Sequence, residues 1–381
     1  MNRRRKKQLR YNMMELKRAR KKVCRKAKII DRRKRIAKEE CERNHRLNKY
    51  KRNRARQYYE KNKYRKYKPR VAPPNFSIID NSEEVIGFCN KLRKDFHNRR
   101  KVFVDMLPVT NVTNESLCLL LSNMMLFREG RIDFNGNFPL DPKSNMVVIE
   151  SGFLDTLYKN RIRNHINNLE SPIYTHSAQK SNTDIIDGMI ANTSKFLWGE
   201  ICDCSGVYNA LIELMANTME HADEIEGRQK WWVTSTQDPE NEKVTYSFLD
   251  YGRGIISTLT SANQKRYKSL VRRLLDKWMG NEAMLLKEVM EGALVISEKE
   301  GSQYGNGLNS IYQDMMDGQL ENVVIISNNV FADVKNGKYH KMKVSFPGTF
   351  VSWEINKGTK HESISSIPVY EETGSEVYPT E

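Results

Sequence analysis

The residues best suited to chemistry lie in three short motifs between Gly206 and Gly307. The first motif is Glu213-Leu-Met-Ala-Asn217, in which an acid and an amide are four residues apart. At that spacing on a helix, both side chains lie on one face. A carboxylate can orient and deprotonate water, and an amide oxygen is a hard ligand suited to Mg²⁺. This motif therefore predicts a helix that carries a general base and a metal ligand.

The second motif is Asp250-Tyr-Gly252-Arg-Gly254, which follows the run 243–249. Apolar residues alternate along that run, and this alternation predicts a strand. A carboxylate at the end of the strand can accept a hydrogen bond from an exocyclic amine, such as that of adenine. Because Gly252 and Gly254 lack a Cβ, the backbone there can approach a flat base closely.

The third motif is Gly301-Ser-Gln-Tyr-Gly305-Asn-Gly307, which precedes apolar residues at helical spacing. A helix that begins at such glycines presents free N–H groups, which bind phosphate. Taken singly, each motif also fits an ordinary turn or a solvated helix face. Their order and spacing along one chain together predict a nucleotide site.

The three motifs resemble the N, G1 and G2 boxes of the GHKL ATPases, the gyrase, histidine kinase and MutL types that share the Bergerat fold. The segment Phe346-Pro-Gly348-Thr349 is similar to the Gly-Thr strand that closes the adenine pocket in that family. The resemblance covers about residues 180–356. Its departures are Asn306 and Asn309, which stand in a usually more Gly-rich run, and a long lid between the second and third motifs.

The resemblance implies ATP and Mg²⁺ as ligands and gives each motif residue a role. Glu213 is the implied water-activating base, and Asn217 is the implied Mg²⁺ ligand. Asp250 is implied to bind the adenine amine, with Thr349 beside it. The base pocket and the phosphate lid are implied to be shaped by four glycines, Gly252, Gly254, Gly305 and Gly307.

For the elements that position these motifs, the resemblance implies an α/β sandwich of two layers over residues 182–356, with a mixed sheet and helices on one face. Helices are expected over residues 184–197, 206–221, 268–279 and 282–295, the last two within the lid. Strands are expected from residue 231, over 243–249, and over 322–327, 341–346 and 349–355, with a turn at 238–241.

The preceding block, residues 76–158, alternates strands and helices and predicts a small α/β layer. Strands are expected over residues 76–79, 101–106 and 132–135, and helices over residues 82–96 and 115–127. The block resembles a STAS domain, but Thr113-Asn114 stands where that family has a phosphorylatable Asp-Ser pair. Thr113 or Ser116 could substitute as a phosphorylation site, or both could be helix-capping residues.

Charge divides the chain sharply. Residues 1–70 hold 32 of the 64 Lys and Arg residues but only 6 of the 47 Asp and Glu residues, and residues 1–68 have no Gly or Pro. We expect a basic arm at 1–68, helical or partly disordered, that binds RNA or DNA. Tyrosines among its basic residues suit stacking on bases. Linking segments are expected at 69–75 and 159–181, and a disordered acidic tail at 357–381.

The sequence has features of neither a membrane-spanning protein nor a secreted protein. There is no apolar run of about 18 residues, which would indicate a membrane span, and no apolar signal peptide at the N-terminus. The six cysteines are scattered without a zinc-binding spacing, which favours reduced thiols and a cytoplasmic location.

We therefore expect an ATPase of the GHKL type that binds Mg-ATP and acts as a conformational switch. The switch would control binding to a nucleic acid or to a protein partner, which could be a second copy of the chain. One alternative is a serine/threonine protein kinase of the anti-sigma-factor type. A second is a non-catalytic protein that assembles with nucleic acid through the arm. An arm joined to an ATPase would suit a bacterial antiviral defence or mobile-element system.

Overall fold

The computed structural model describes residues 66–158, 173–176, 183–221, 231–261, 265–294 and 306–363, together with Met14. The prediction of a basic helical arm at 1–68 therefore lies almost wholly outside the described residues. The same is true of Gly305, of most of the segment 159–181, and of residues 364–381.

The N-terminal unit alternates short strands and helices. Its elements are β1 (Lys68–Val71), β2 (Asn75–Phe76), α1 (Ser82–His97), β3 (Val102–Asp105), β4 (Asn111–Val112), α2 (Asn114–Glu129), β5 (Phe134–Gly136), α3 (Pro142–Glu150) and α4 (Phe153–Tyr158). Strands pair in parallel in the order β1-β3-β5, and β2 pairs in parallel with β4. Parallel neighbours need a crossover connection, and α1 and α2 supply it. The predicted helices and the strand at 101–106 are confirmed.

The segment 69–75, predicted as a linker because of its prolines, instead contains β1 and the start of β2. Since β1 is an edge strand, it tolerates Pro69. Arg70 on this strand donates to the buried Asp95 of α1. Burial alone would raise the pKa of Asp95, but hydrogen bonds and positive charge from Arg70 and Lys68 hold it below its usual value. This ion pair fastens the strand to the unit.

The rest of the chain builds a second, larger set of elements. They are β6 (Ile173–His176), α5 (Thr183–Trp198), β7 (Cys202–Asp203), α6 (Ser205–His221), β8 (Trp231–Asp238), β9 (Lys243–Asp250), α7 (Ile255–Ser261), α8 (Lys265–Lys277), α9 (Glu282–Met290), α10 (Asn306–Met316), β10 (Glu321–Asp333), β11 (Lys338–Asn356) and β12 (Glu362–Ser363). Two segments that were predicted as a linking segment and a disordered tail thus contain strands. Strand β6 lies within the linking segment 159–181, and β12 lies within the tail 357–381 and pairs with β7.

Five strands form one sheet in the order β10-β11-β9-β8-β6, and all four neighbouring pairs are antiparallel. The prediction of a mixed sheet is wrong. Four-residue turns join β8 to β9 and β10 to β11, and such hairpins make neighbours antiparallel. The strands predicted at 341–346 and 349–355 are one strand, β11. Pro347 and Gly348 form a bulge within it, between the partners of Asn328 and Ser327.

Both faces of the five-stranded sheet are covered, but the described helices of residues 182–356 all lie on one face, which is the arrangement predicted for that part of the chain. Helices α5 to α10 pack on the face that contains Tyr246, Phe248 and Trp353. The N-terminal unit packs on the opposite face, where Leu249 and Phe350 join its core. The sequence carried a signal for this, since consecutive apolar residues such as Phe248-Leu249 indicate a strand buried on both sides.

No helix in the described part of the chain is long and apolar enough to cross a lipid bilayer. Four cysteines in this part are free and buried, namely Cys89, Cys118, Cys202 and Cys204. Burial raises the pKa of Cys89 to about 12 and that of Cys204 to about 11. These two thiols are therefore protonated at neutral pH and act as small packing groups.

The shared core predicts that the N-terminal unit and the five-stranded sheet unfold together. Leu249 is buried in the core that joins them. Leu249→Ala should lower the free energy of unfolding by about 2–5 kcal/mol, because it leaves a cavity. Hydrogen exchange in helix α1 and in strand β9 should accelerate equally. Glu240→Ala, in the exposed turn before β9, is the neutral control. Unchanged protection of α1 in Leu249→Ala would contradict the shared core.

Candidate functional site

A row of four side chains crosses the five-stranded sheet at the end of β9. Asp250 is opposite Trp231 of β8 on one side and Thr349 of β11 on the other, and Thr349 is opposite Ser327 of β10. Side chains alternate along a strand, so Asp250 lies on the same face as Phe248, which packs against helices α5 to α10. The second motif therefore opens toward the helical layer.

Asp250 is a buried carboxyl, with 7% of its surface exposed. Its Oδ1 accepts a hydrogen bond of 2.6 Å from the backbone N–H of Gly252. Burial raises the pKa of Asp250 to about 6, and hydrogen bonds from Gly252 and Thr349 oppose that rise. The raised pKa shows that the ionised carboxyl lacks the stabilisation that water would give it. It is therefore a strong hydrogen-bond acceptor inside the protein. It can hold a donor that is brought to it out of water.

Gly348 allows β11 to approach the site closely. Its φ of +148° lies in a region that L side chains rarely adopt. A Cβ at this position would collide with the carbonyl oxygen of Asp250 and lie 2.8 Å from Cα of Tyr251. The backbone of β11 therefore touches the end of β9, and no larger residue can replace Gly348 without moving one of the two strands.

The turn after β9 is held by two polar residues of β10. Ser327 is fully buried, and its Oγ accepts a 2.7 Å hydrogen bond from the N–H of Ile255 at the start of α7. The same hydroxyl donates to the carbonyl oxygen of Gly348 at 3.0 Å. Asn328 accepts from Ser257 N–H and donates to the carbonyl of Arg253.

Gly254 fits into this arrangement because it has no side chain. Its φ is +79°, and a Cβ there would lie 2.5 Å from Oδ1 of Asn328. Ser327 and Asn328 were not among the site residues predicted from the sequence. The available signal was their polar character directly after the apolar run 323–326, since a polar residue buried in a strand, as Ser327 is, needs a specific partner.

The first and third motifs meet at the contact between α6 and α10. Glu213 and Asn217 lie four residues apart on α6 and are half-buried. Gly307 lies in the first turn of α10 and directly faces them. A Cβ on Gly307 would collide with Oε2 of Glu213 and lie 3.4 Å from Nδ2 of Asn217. The absent side chain therefore lets the start of α10 rest against the acid and the amide.

The structure thus brings the predicted residues together in two groups, both in or facing the helical layer. One group contains Asp250, Gly252 and Thr349, with Gly254 in the adjoining turn. The other contains Glu213, Asn217 and Gly307. Gly305 lies outside the described residues. Asn309, a departure from the family pattern, donates to the carbonyl of Met290 at 2.9 Å and thereby fixes α10 to the lid helix α9.

The two candidate phosphorylation residues of the N-terminal unit have structural roles. Thr113 is the N-cap of α2 and accepts a hydrogen bond from the backbone N–H of Ser116. Ser116 is fully buried, and its Oγ accepts from the N–H of Ile78 at 2.7 Å. The contact of Thr113 is that of a helix cap, one of the two readings that the sequence allowed, whereas Ser116 ties α2 to the segment after β2.

The raised pKa of Asp250 predicts a pH-dependent stability. An unfolded aspartate ionises near pH 4, whereas folded Asp250 ionises near pH 6. The native state binds the extra proton between these values, so this residue's destabilising effect grows from pH 4 to pH 6 and is complete above pH 6. Asp250→Asn should therefore gain on the order of 2–3 kcal/mol of relative stability between pH 4 and pH 7.5, measured by urea unfolding.

A control for that measurement lies at the other end of the same hairpin. Hydrogen bonds from Asn241 lower the pKa of Asp238, so the folded state favours its ionised form. Asp238→Asn should therefore lose relative stability as the pH rises, the opposite sign. A stability difference between Asp250→Asn and the unsubstituted protein that stays constant with pH would contradict the burial argument.

Comparisons of the chain with protein-family models, with curated proteins and with solved structures found no significant match. The evidence for a function of this site is therefore the geometry of the described residues. That geometry consists of a buried carboxyl at a strand end and an acid and an amide against a glycine at a helix start.

Proposed function

We propose that the chain binds Mg-ATP in the manner of the GHKL ATPases and hydrolyses it as a conformational switch. The observation that carries the proposal is the buried Asp250 carboxyl, which pairs in register with Thr349 and accepts from the N–H of Gly252. Glu213 and Asn217 belong to the helical layer on the same side of the sheet. On this proposal the second part of the chain is a Bergerat fold.

The chemistry of Asp250 favours adenine over guanine. The carboxyl is an acceptor in a buried site, and the exocyclic amine of adenine is a donor that matches it. Guanine carries a carbonyl oxygen at the corresponding ring position, so two acceptors would face each other. A site built around a buried acceptor discriminates strongly against a ligand that leaves the acceptor unpaired.

The contact between α6 and α10 supports the phosphate end of the proposal. Gly307 brings the first turn of α10 against Glu213 and Asn217, and helix N-termini favour negative charge. Asn217 supplies an amide oxygen, which suits Mg²⁺ as a ligand, and Glu213 supplies a carboxylate, which can accept a proton from water. When bound, Mg²⁺ would neutralise charge on the phosphate oxygens. The residues of this chain would hold the metal through Asn217 and orient a water through Glu213.

The lid provides the switching element of the proposal. The segment between the second and third motifs contains α7, α8 and α9, and Ser327 and Asn328 bind its beginning to β10. A ligand that binds the closed lid better than the open lid shifts the population toward the closed form by that difference in affinity. The kinase alternative has less support within this chain, because Ser116 is fully buried and Thr113 is engaged as the N-cap of α2.

Two substitutions separate binding from hydrolysis. Asp250→Asn should weaken ADP binding about 10- to 100-fold, because a charged acceptor is replaced by a neutral one. Glu213→Ala should keep ADP affinity and lower ATP turnover by about 10²- to 10⁴-fold, because it removes only the base. Calorimetry with ADP and a phosphate-release assay measure the two effects.

GDP and Asp238→Asn are the matched controls for that experiment. GDP should bind much more weakly than ADP, and Asp238→Asn, in an exposed turn, should bind ADP normally. Equal affinity for ADP and GDP, or an unchanged ADP affinity in Asp250→Asn, would refute the proposed site.

For the partner, we propose a nucleic acid bound by the basic residues before β1. The support is the concentration of 32 Lys and Arg residues within residues 1–70, of which 30 precede β1. Neutralising phosphates releases counterions, so affinity should fall steeply with salt and depend little on sequence. Tyrosines in this segment provide stacking surfaces for bases, and they are Tyr50, Tyr58, Tyr59, Tyr64 and Tyr67.

Deletion of residues 1–65 tests the partner proposal. The deletion must end before β1, because Lys68–Val71 is part of the N-terminal sheet. The shortened protein should lose binding to single-stranded RNA and DNA, measured by fluorescence anisotropy at two salt concentrations, and should keep ADP affinity. Nucleic-acid binding that survives the deletion would show that the arm is not the binding element.

A further inference from the structure

Tyr251 connects the candidate site to the N-terminal unit. It follows Asp250 directly and precedes Gly252. Because neighbouring residues of an extended chain point to opposite faces, Asp250 faces the helical layer and Tyr251 faces the N-terminal unit. One dipeptide therefore reaches both layers that cover the sheet.

The hydroxyl group of Tyr251 lies within the N-terminal unit. It is 2.6 Å from Oγ of Ser122 and accepts a hydrogen bond of 2.9 Å from Nδ2 of Asn123. Both partners are buried residues of α2. Burial raises the pKa of Tyr251, so the phenol is neutral over the whole physiological range. These bonds are shielded from water, and an unmatched group at this position would be costly.

A helix on the other side holds the ring. The guanidinium carbon of Arg93 on α1 lies 4.0 Å from the ring centroid of Tyr251. Nη1 of Arg93 is buried and has no hydrogen-bond partner among the described residues, so the ring face is what compensates this part of its charge. Phe346 of β11 packs beside the ring at 5.8 Å. Helices α1 and α2 thus both contact the Tyr251 side chain, α1 at the ring face and α2 at the hydroxyl group.

The backbone of Tyr251 connects these side-chain contacts to the candidate site. Its Cα lies so close to Gly348 that a Cβ on that glycine would be 2.8 Å away. The two residues that flank Tyr251 are also bonded to each other, because the N–H of Gly252 donates to Oδ1 of Asp250. A displacement of Tyr251 therefore changes both the Asp250 carboxyl and the approach of β11.

We propose that Tyr251 is the positioning residue through which the N-terminal unit shapes the candidate site. The unit is then part of the binding machinery, and its packing sets ligand affinity. This inference deepens the proposed function and rests on it where nucleotide affinity is concerned. Coupling of this kind is reciprocal, so a bound nucleotide would also stabilise the contact of Tyr251 with α1 and α2.

A matched control exists on β9, the strand that ends directly before Tyr251. Tyr246 of β9 is fully buried, and its hydroxyl is 2.6 Å from Oγ1 of Thr193. Its ring faces the opposite layer and stacks on Trp353. Tyr246→Phe therefore removes the same atom from a similarly bonded, buried tyrosine that does not border Asp250. Any effect of Tyr251→Phe beyond that of Tyr246→Phe reports positioning rather than loss of a buried hydrogen bond.

The experiment compares the full chain with Tyr251→Phe and Tyr246→Phe by two readouts. The first is hydrogen exchange without ligand over residues 247–257, which include the Gly252 amide. It should be about tenfold faster in Tyr251→Phe and unchanged in Tyr246→Phe, because only the first loses the anchor. The second readout is ADP affinity, which should fall about tenfold in Tyr251→Phe alone.

Ser122→Ala provides a second variant, which removes the partner hydroxyl from a distant part of the sequence. It should accelerate exchange in the same segment. Equal exchange and equal ADP affinity in Tyr251→Phe and Tyr246→Phe would overturn the inference, as would faster exchange spread evenly over the whole chain. If the unsubstituted protein does not bind ADP but exchange over 247–257 rises only in Tyr251→Phe, then the nucleotide proposal fails and the positioning role stands.

Discussion

The close approach of β11 to the end of β9 is the constraint on which the candidate site depends. Gly348 makes this approach possible, because any side chain there would enter the backbone of Asp250 and Tyr251. The approach brings Thr349 beside the Asp250 carboxyl and places the carbonyl of Gly348 within reach of Ser327. Ser327 in turn binds the N–H of Ile255, so the strand end, the turn and the first lid helix form one bonded unit.

The pleat of the sheet gives adjacent residues separate tasks. Asp250 and Phe248 belong to the face beneath α5 to α10, whereas Leu249 and Tyr251 belong to the face beneath the N-terminal unit. Burial removes the Asp250 carboxyl from water and thereby raises its pKa. The site therefore combines a destabilised carboxyl with a core large enough to tolerate it, which is common at functional sites.

The sequence by itself determined the local elements and the residue types of the site. Helices at 82–97, 114–129, 183–198 and 205–221 follow from apolar spacing and caps such as Thr113. The spacing of Glu213 and Asn217 placed both on one helix face, and the run before Asp250 indicated a strand that ends at a glycine turn. These features depend on residues within a few positions of each other, and periodicity reports such relations directly.

Only the tertiary structure decided how distant segments meet. Pro69 suggested a linker, yet Arg70 and the buried Asp95 hold the same segment as an edge strand. Ser327 and Asn328 gained their role from the turn at 253–257, some seventy residues earlier in the chain. The second layer on the sheet and the contacts of the Tyr251 side chain are formed by helices that precede β9 by more than a hundred residues. Such contacts depend on burial and geometry between remote residues, which local sequence pattern does not contain.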